Sequence, residues 1–174
     1  MEFYGYGTKL KSQVTGIETF NKTLDYGEAG DNIGVLVRGA SREQLRRGLI
    51  MAKPGSLKSA TVFSANLYCL TEDEGGRKNS FTSGYRPQLY FKTADTAAEI
   101  YLQGSNKIAK PGDNIKVVGR LHFPLTIEKG ARFALREGGK TIAAGVFDDI
   151  LPDNYEIEGE FKKKGPKPDQ TPKK

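Results

Sequence analysis

The sequence holds one histidine, His122, and one cysteine, Cys69, the side chain types that most often bind metals or act as nucleophiles. A metal cluster of His and Cys needs three or four such ligands, so this chain by itself cannot supply one. His122 stands next to Phe123 in an apolar stretch, where a packing role is the more frequent one. We therefore predict no catalytic residue and no metal site, and we expect the chain not to be an enzyme.

Patterns that bind nucleotides are missing or imperfect. The chain has no Gly-x-x-x-x-Gly-Lys-Ser/Thr loop to surround phosphates. Residues 21–25 spell Asn-Lys-Thr-Leu-Asp, one residue longer than the Asn-Lys-x-Asp pattern that recognises guanine. Paired carboxylates such as Asp148 and Asp149 fall at predicted turns or strand ends, where they are usually solvated. No cofactor is predicted for this chain.

A surplus of positive charge is the most informative chemical feature. Lys and Arg number 27 against 21 Asp and Glu, a net charge of +6. Such a surplus attracts polyanions, most commonly nucleic acid, although it also keeps small proteins soluble. No apolar run is long enough to predict a membrane span, and the Met-Glu-Phe-Tyr start is not a signal peptide, so we expect no membrane partner.

Nearly all local patterns are those of short β-strands separated by turns that contain Gly or Pro. Residues 60–70 alternate and place Phe63, Ala65, Leu67 and Cys69 on one face. The one helix predicted covers residues 41–47, with Ser41 and Gln44 spaced as a capping box. Close turns between short strands are typical of a β-sandwich or barrel, so the chain is predicted to be all-β. The other predicted strands cover residues 15–20, 33–38, 88–92, 99–102, 115–121, 133–136 and 141–147.

The chain divides into two modules and a tail. The sequence Gly-Asp-Asn-Ile occurs at 30–33 and again at 112–115, which indicates either two related β modules or two similar turns. Residues 1–56 supply about four strands, too few to close a barrel, so this module needs strands from elsewhere. The second module covers 57–152. Residues 153–174, acidic and then rich in Lys, are predicted to form a disordered tail.

Several blocks of sequence, in the same order, carry a resemblance to a known family. They are residues 14–20, 29–39, 46–48, 52–56, 74–77, 84–93, 111–114 and 132–141. These blocks resemble elongation factor Tu of the bacterial and mitochondrial type, from the latter half of its second domain through its third domain. The resemblance covers about residues 3–151. It implies an incomplete β-barrel followed by an antiparallel six-stranded β-barrel.

In that family a GTPase domain precedes the two barrels, and the GTP form delivers aminoacyl-tRNA to the ribosomal A site. The resemblance implies that the GTPase domain, with its GTP and magnesium, is not part of this chain. The implied partners are aminoacyl-tRNA, the ribosome, elongation factor Ts and a GTPase domain in cis or in trans. The extra C-terminal stretch implies a mitochondrial location, with the bacterial cytoplasm as the alternative.

Matching positions imply a set of tRNA-binding residues. Arg47 corresponds to a position at the five-prime end of the tRNA, where a planar guanidinium suits phosphate. Asn32 corresponds to a position near the terminal adenosine and its aminoacyl group, with an ordinary turn residue as the alternative. The positions along the T stem are Arg77, Lys78, Gln88, Lys92 and Gly138.

The resemblance also implies a protein interface. Gln88 and Ala134 correspond to positions that face the GTPase domain. The alternative function is therefore a protein-interaction module that docks elongation factor Ts or a separately encoded GTPase half.

Overall fold

The computed structural model describes residues 1–105 and 108–158. Within these ranges the secondary structure consists of fourteen strands and one short 3-10 helix, Arg42–Gln44. The strands are β1 Glu2–Gly5, β2 Thr8–Lys11, β3 Gln13–Thr19, β4 Lys22–Leu24, β5 Gly34–Arg38, β6 Ile50–Ala52, β7 Ala60–Cys69, β8 Phe81–Thr82, β9 Gln88–Phe91, β10 Ala94–Leu102, β11 Ile108–Ala109, β12 Asn114–Leu125, β13 Arg132–Glu137 and β14 Lys140–Leu151. The predicted all-β class is confirmed.

Six of the strands close into one barrel. They are hydrogen-bonded in the order β10, β12, β7, β14, β13, β9, and every neighbouring pair is antiparallel. Closure gives each of these strands a partner on both sides, which removes the exposed edges that an open sheet would have. The predicted antiparallel six-stranded barrel is confirmed.

Strand β7 alternates as its sequence predicts. Its inward side chains are at most 3% exposed, and they are those of Phe63, Ala65, Leu67 and Cys69. Burial raises the pKa of the Cys69 thiol to about 11. The thiol therefore stays protonated at neutral pH and behaves as a small apolar side chain.

Aromatic rings fill the middle of the barrel. The Phe63 ring meets those of Phe133 and Phe147 edge to face, with centroids 5.6 and 5.0 Å apart. Two glycines face these rings from neighbouring strands. A Cβ on Gly119 would overlap the Phe63 ring, and a Cβ on Gly145 would overlap the Phe133 ring. The strands can approach the rings this closely only because both positions lack a side chain.

The first module forms two separate three-stranded sheets. One has the strand order β2, β1, β6 and the other the order β4, β3, β5. Strands β4 and β5 are the edges of the second sheet, and Leu36 on β5 is 66% exposed. No barrel closes within residues 1–56, but the prediction of about four strands is wrong, because this module has six, β1 to β6.

The helix predicted over residues 41–47 is wrong in length. The 3-10 turn ends at Gln44 because Leu45 is already extended, with φ −103° and ψ 127°. The Ser41 N–H donates to Gln44 Oε1 at 2.9 Å, so this half of the predicted capping box forms. A segment this short makes too few hydrogen bonds to offset the cost of helix nucleation.

The repeated Gly-Asp-Asn sequence forms the same turn twice. Asp31 Oδ2 accepts the N–H of Glu28 at 2.8 Å, and Asp113 Oδ2 accepts the N–H of Lys110 at 2.8 Å. The glycine before each aspartate has a positive φ, 102° in the first turn and 87° in the second. Each turn leads into a strand, β5 or β12, so local turn chemistry explains the recurrence.

The residues that follow the last barrel strand pack on the outside of the barrel. The Asp153 carboxylate accepts hydrogen bonds from the N–H and the hydroxyl of Thr61, at 3.1 and 2.5 Å. Arg120 donates to the main-chain oxygens of Asp153 and Tyr155, each at 3.2 Å. Ile157 is 6% exposed and joins an apolar cluster on the outer surface.

The disordered tail predicted from residue 153 is therefore wrong over residues 153–158. This segment is polar in sequence, but Asp153 and Ile157 find partners on β7 and β12. Residues 159–174 of the predicted tail lie outside the described residues.

Two features are absent from the described residues. None of their helices has the length and apolar character that crossing a bilayer requires. Their His, Cys, Asp and Glu side chains form no group of three or more that could hold a metal ion.

Candidate nucleic-acid interface

A tight turn between β13 and β14 presents bare main chain at one end of the barrel. Glu137 and Lys140 are paired, so Gly138 and Gly139 form a two-residue turn. Both glycines have positive φ, 54° and 83°, a conformation that residues with a Cβ rarely adopt. Apart from the adjoining residues of the chain, no atom lies within 4 Å of the position that a Cβ would take on either glycine. The two turn residues thus place no side chain of their own over the turn's peptide groups.

Arg77 lies beside this turn and is held from two sides. Its Nη1 is 3.5 Å from Glu137 Oε2, and its guanidinium carbon is 4.9 Å from the centre of the Tyr85 ring. Burial and the Glu137 carboxylate raise the pKa of Tyr85 to about 12, so the ring stays neutral beneath the cation. The Arg77 side chain keeps 23% of its surface exposed, which leaves it a fixed cation that solvent can reach.

Arg136 is held on the same turn. Its Nη2 donates to the main-chain oxygen of Gly139 at 2.8 Å, and its guanidinium carbon is 5.3 Å from the centre of the Tyr90 ring. Its ladder partner on β9 is Gln88. A guanidinium that is both stacked and hydrogen-bonded is oriented before any ligand arrives.

Two lysines complete a cluster of positive charge. Lys78 follows Arg77 in sequence and Lys140 follows the turn, and both are exposed. Among the described residues, neither lysine forms an ion pair. The carboxylate of Glu137 pairs with Arg77. We call this surface the hairpin face. It consists of Arg77, Lys78, Gln88, Arg136, Gly138 and Lys140.

Gln88 belongs to the hairpin face because β9 pairs with β13, which places Gln88 beside Arg136. It lies between Ala97 of β10 and Arg136 of β13 in the two ladders of β9. Its Nε2 donates to Asp95 Oδ2 at 3.0 Å, which fixes the side-chain amide. Four of the residues predicted to bind tRNA, Arg77, Lys78, Gln88 and Gly138, thus lie in one region. Their binding role stays a prediction.

Lys92 and Ala134 are not part of the hairpin face. Lys92 follows the far end of β9, about 13 Å along the chain from Gln88 at the rise of an extended strand. It forms an ion pair with Glu128 at 3.1 Å, which offsets its charge. Ala134 is half-buried in the middle of β13, between Tyr90 of β9 and Ala144 of β14.

Asn32 and Arg47 lie in the first module. Asn32 is exposed just before β5, and its main-chain oxygen accepts the Thr19 hydroxyl at 2.8 Å. Arg47 is exposed between the 3-10 helix and β6. Its neighbour Arg46 is fixed, because the Arg46 guanidinium carbon lies 3.8 Å above the Tyr6 ring centre.

A family model for the elongation factor Tu C-terminal domain matches residues 56–151. The match spans the closed barrel from β7 to β14 and more than half of the 174-residue chain. The chain belongs to this family. It therefore contains a translation elongation factor domain, and the resemblance of the second module to the third domain of elongation factor Tu is confirmed.

The tRNA-binding positions that the resemblance implied did not include the whole hairpin face of this elongation factor Tu domain. Arg136 and Lys140 were not among them, although the sequence Arg-Glu-Gly-Gly-Lys at 136–140 places cations on both sides of a Gly-Gly turn. The support that Tyr85 gives to Arg77 had no sequence signal. That contact joins side chains from separate loops, and it exists only once the barrel has closed.

Proposed function

We propose that this chain binds the sugar-phosphate backbone of aminoacyl-tRNA through the hairpin face, as part of the delivery of aminoacyl-tRNA to the ribosome. The observation that carries the proposal is the cluster of four cations around a turn without side chains. Contacts to phosphate and sugar carry no sequence information, which suits a factor that accepts many tRNAs. Membership of the elongation factor Tu C-terminal domain family supports the same conclusion.

Each part of the hairpin face has a role that follows from its chemistry. Arg77 and Arg136 carry fixed guanidinium groups, whose remaining exposed N–H groups can donate charge-assisted hydrogen bonds to phosphate. Lys78 and Lys140 add exposed point charges. Gly138 lets an RNA strand approach the main chain to a distance that a Cβ would prevent.

A salt-resolved titration of the full chain with an aminoacylated elongator tRNA tests the cations. Arg77→Ala combined with Lys78→Ala should weaken binding at every salt concentration. For each phosphate that is no longer bound, the slope of log affinity against log salt should fall by about 0.7 to 0.9. The control, Lys22→Ala combined with Lys58→Ala, removes two exposed charges elsewhere and should have a much smaller effect.

A second pair of variants tests the turn. Asparagine adopts positive φ more readily than most residues, so Gly138→Asn should fold while adding a side chain at the proposed contact. Gly130→Asn makes the same change at a φ of 78° in the turn before β13, and it serves as the control. The proposal predicts weaker tRNA binding for Gly138→Asn alone. It fails if all variants bind equally, or if binding depends only on residues 159–174.

A protein-docking function is the second candidate, and a groove on the side of the barrel, in which Arg132 is the one charged lining residue, favours it. The groove has a volume of about 340 Å³, and Tyr68, Ala144 and Val146 are among its lining residues. Tyr90, Ala134, Ala144 and Tyr68 face each other in succession across β9, β13, β14 and β7. Small residues between two tyrosines offer a partner a shallow apolar surface. The proposed partners are elongation factor Ts or a GTPase domain in cis or in trans.

Ala134→Arg separates the two candidate functions. The new charge would lie beside the groove, opposite its lining residue Ala144, at a position that is not part of the hairpin face. Calorimetry with purified elongation factor Ts, or with a GTPase domain, should show weaker binding by this variant, while tRNA affinity stays that of the parent. Unchanged binding of both proteins would contradict docking at this groove.

Nucleotide hydrolysis is expected to be absent from the chain itself. The sequence has no phosphate-binding loop, so the purified chain should turn over no GTP. A saturable GTPase rate measured with the pure chain would contradict this expectation.

A further inference from the structure

The turn between β1 and β2 holds a bulky residue in an unusual conformation. Gly5 pairs with Thr8, so Tyr6 and Gly7 form the turn. Both have positive φ, 52° for Tyr6 and 79° for Gly7. A large non-glycine residue is uncommon in this region and costs backbone strain, which contacts of its side chain can offset.

Those contacts reach across from the first module to the barrel. The Tyr6 N–H donates to the Pro124 main-chain oxygen at 2.7 Å. The Tyr6 hydroxyl accepts the N–H of Asp95 at 3.0 Å and lies 3.1 Å from the Asp95 main-chain oxygen, to which it can donate. The ring meets that of Phe123 edge to face, with centroids 6.2 Å apart. The tip of the β1–β2 hairpin is thus bonded to the start of β10 and the end of β12.

The Tyr6 side chain also contacts its own module. The Arg46 guanidinium carbon lies 3.8 Å above the ring centre. Gly48 lies against the ring edge, where a Cβ would come within 2.8 Å of Tyr6 Cε2 and 2.9 Å of Ala94 Cα. Gly48 is therefore packed between Tyr6 and the barrel in a space that admits no side chain, and Arg46 is held on the Tyr6 ring two residues before it.

A continuous series of contacts leads from this junction to the hairpin face. Asp95, whose main chain binds the Tyr6 hydroxyl, accepts a hydrogen bond from Gln88 Nε2 at 3.0 Å. We propose that Tyr6 is a positioning residue, which fixes residues 46 and 47 of the first module relative to the hairpin face of the barrel. The effect on RNA binding rests on the function proposed above, whereas the positioning role does not.

A distance measurement in the full chain tests the positioning role directly. Gln13→Cys and Lys116→Cys place spin labels at exposed sites on the first module and on β12. Cys69 is buried and its thiol pKa is raised to about 11, so it stays unlabelled. We expect one narrow distance distribution for the parent and a wider or shifted one for Tyr6→Gly, which relieves the positive φ but removes the ring and hydroxyl.

Phe20→Gly is the matched control. Phe20 has a φ of 46° in the two-residue turn between β3 and β4, and it is 90% exposed. The substitution therefore gives the same backbone relief without removing contacts to the barrel. Its distance distribution should equal that of the parent.

A milder substitution keeps the proposal testable if Tyr6→Gly does not fold. Tyr6→Phe keeps the ring under Arg46 but loses both hydrogen bonds to Asp95. We expect it to melt close to the parent's temperature with a widened distance distribution. Unchanged distributions in Tyr6→Phe and in folded Tyr6→Gly would overturn the proposal.

The tRNA titration separates this inference from the function on which it partly rests. Two contact surfaces in a fixed relation bind one ligand more tightly than two that move independently. Tyr6→Phe should therefore weaken tRNA binding several-fold, and this loss should disappear when Arg47→Ala has already removed the first-module contact. A changed distance with unchanged tRNA affinity would support positioning by Tyr6 and contradict an RNA contact at residue 47.

Discussion

A buried carboxylate, Glu2, organises part of the first module. Glu2 is 2% exposed, and its Oε2 accepts hydrogen bonds from the Tyr4 hydroxyl and, at 2.9 Å, from the Gly55 N–H. The Tyr4 bond, followed by the Gly55 bond, lowers the pKa of this carboxyl below its ordinary value. The charge ties the start of β1 to the turn at residues 53–56, which leads into the barrel.

The protein should lose stability in acid partly through Glu2. A carboxyl with a lower pKa in the folded state stabilises the fold above its unfolded pKa of about 4.3, and this contribution is lost as the pH falls through the folded pKa. Glu2→Gln should therefore reduce the drop in melting temperature between about pH 5 and pH 3, followed by circular dichroism. Glu72→Gln, at an exposed position, is the control. Parallel acid profiles for Glu2→Gln and the parent would count against this role.

At the scale of elements, inward-facing glycines let the barrel strands pack against aromatic rings. Gly145 on β14 and Gly119 on β12 face the rings of Phe133 and Phe63, with no room for a methyl group. Gly16 on β3 differs, because a Cβ there would meet Leu36 at an ordinary 3.8 Å. In the barrel, packing therefore requires glycine at these positions. In the first module, position 16 has room for a methyl group.

Alanine at these two glycines should act in opposite directions. Gly145→Ala forces the Phe133 ring or the strand to move, which should cost about 1–3 kcal/mol of unfolding free energy. Gly16→Ala should be neutral or add about 0.4–1 kcal/mol, because it restricts the unfolded chain. Urea unfolding of both variants measures the difference. Equal effects would show that ring packing does not limit position 145.

At the scale of the whole molecule, the two modules differ in how their strands are protected. The barrel is closed and holds one continuous apolar core, whereas the first module consists of two open sheets. The described contacts between them are concentrated around Tyr6, Gly48 and residues 94–95 and 123–124. Local openings should therefore be easier in the first module than in the barrel.

Native-state hydrogen exchange should show this difference in local stability between the two modules. Amides of β7, β12 and β14 should exchange most slowly, and those of β3, β4 and β5 faster, because the latter belong to an open sheet with exposed edges. Gly48→Ala should accelerate exchange in the first module and leave the slowest barrel amides nearly unchanged. Uniform acceleration throughout the chain would mean that the two modules open as one unit.

The sequence by itself determined the features that depend on neighbours along the chain. Alternation predicted the inward face of β7, turn residues predicted the all-β class, and ordered blocks of sequence indicated the family. Local patterns also misled where a segment was short or polar. Residues 41–47 had helical signals but too few residues to sustain a helix, and the segment after residue 152 had no strong apolar pattern.

The tertiary structure alone decided the contacts between residues that are far apart in sequence. Arg77 meets Tyr85 and Glu137 only after strand closure, and Ile157 is buried only because β7 and β12 lie side by side beneath it. Tyr6 and Asp95 are 89 residues apart, and nothing near either residue marks them as partners. Strand order and register set such distances, and they follow from the packing of the whole barrel rather than from any local sequence pattern.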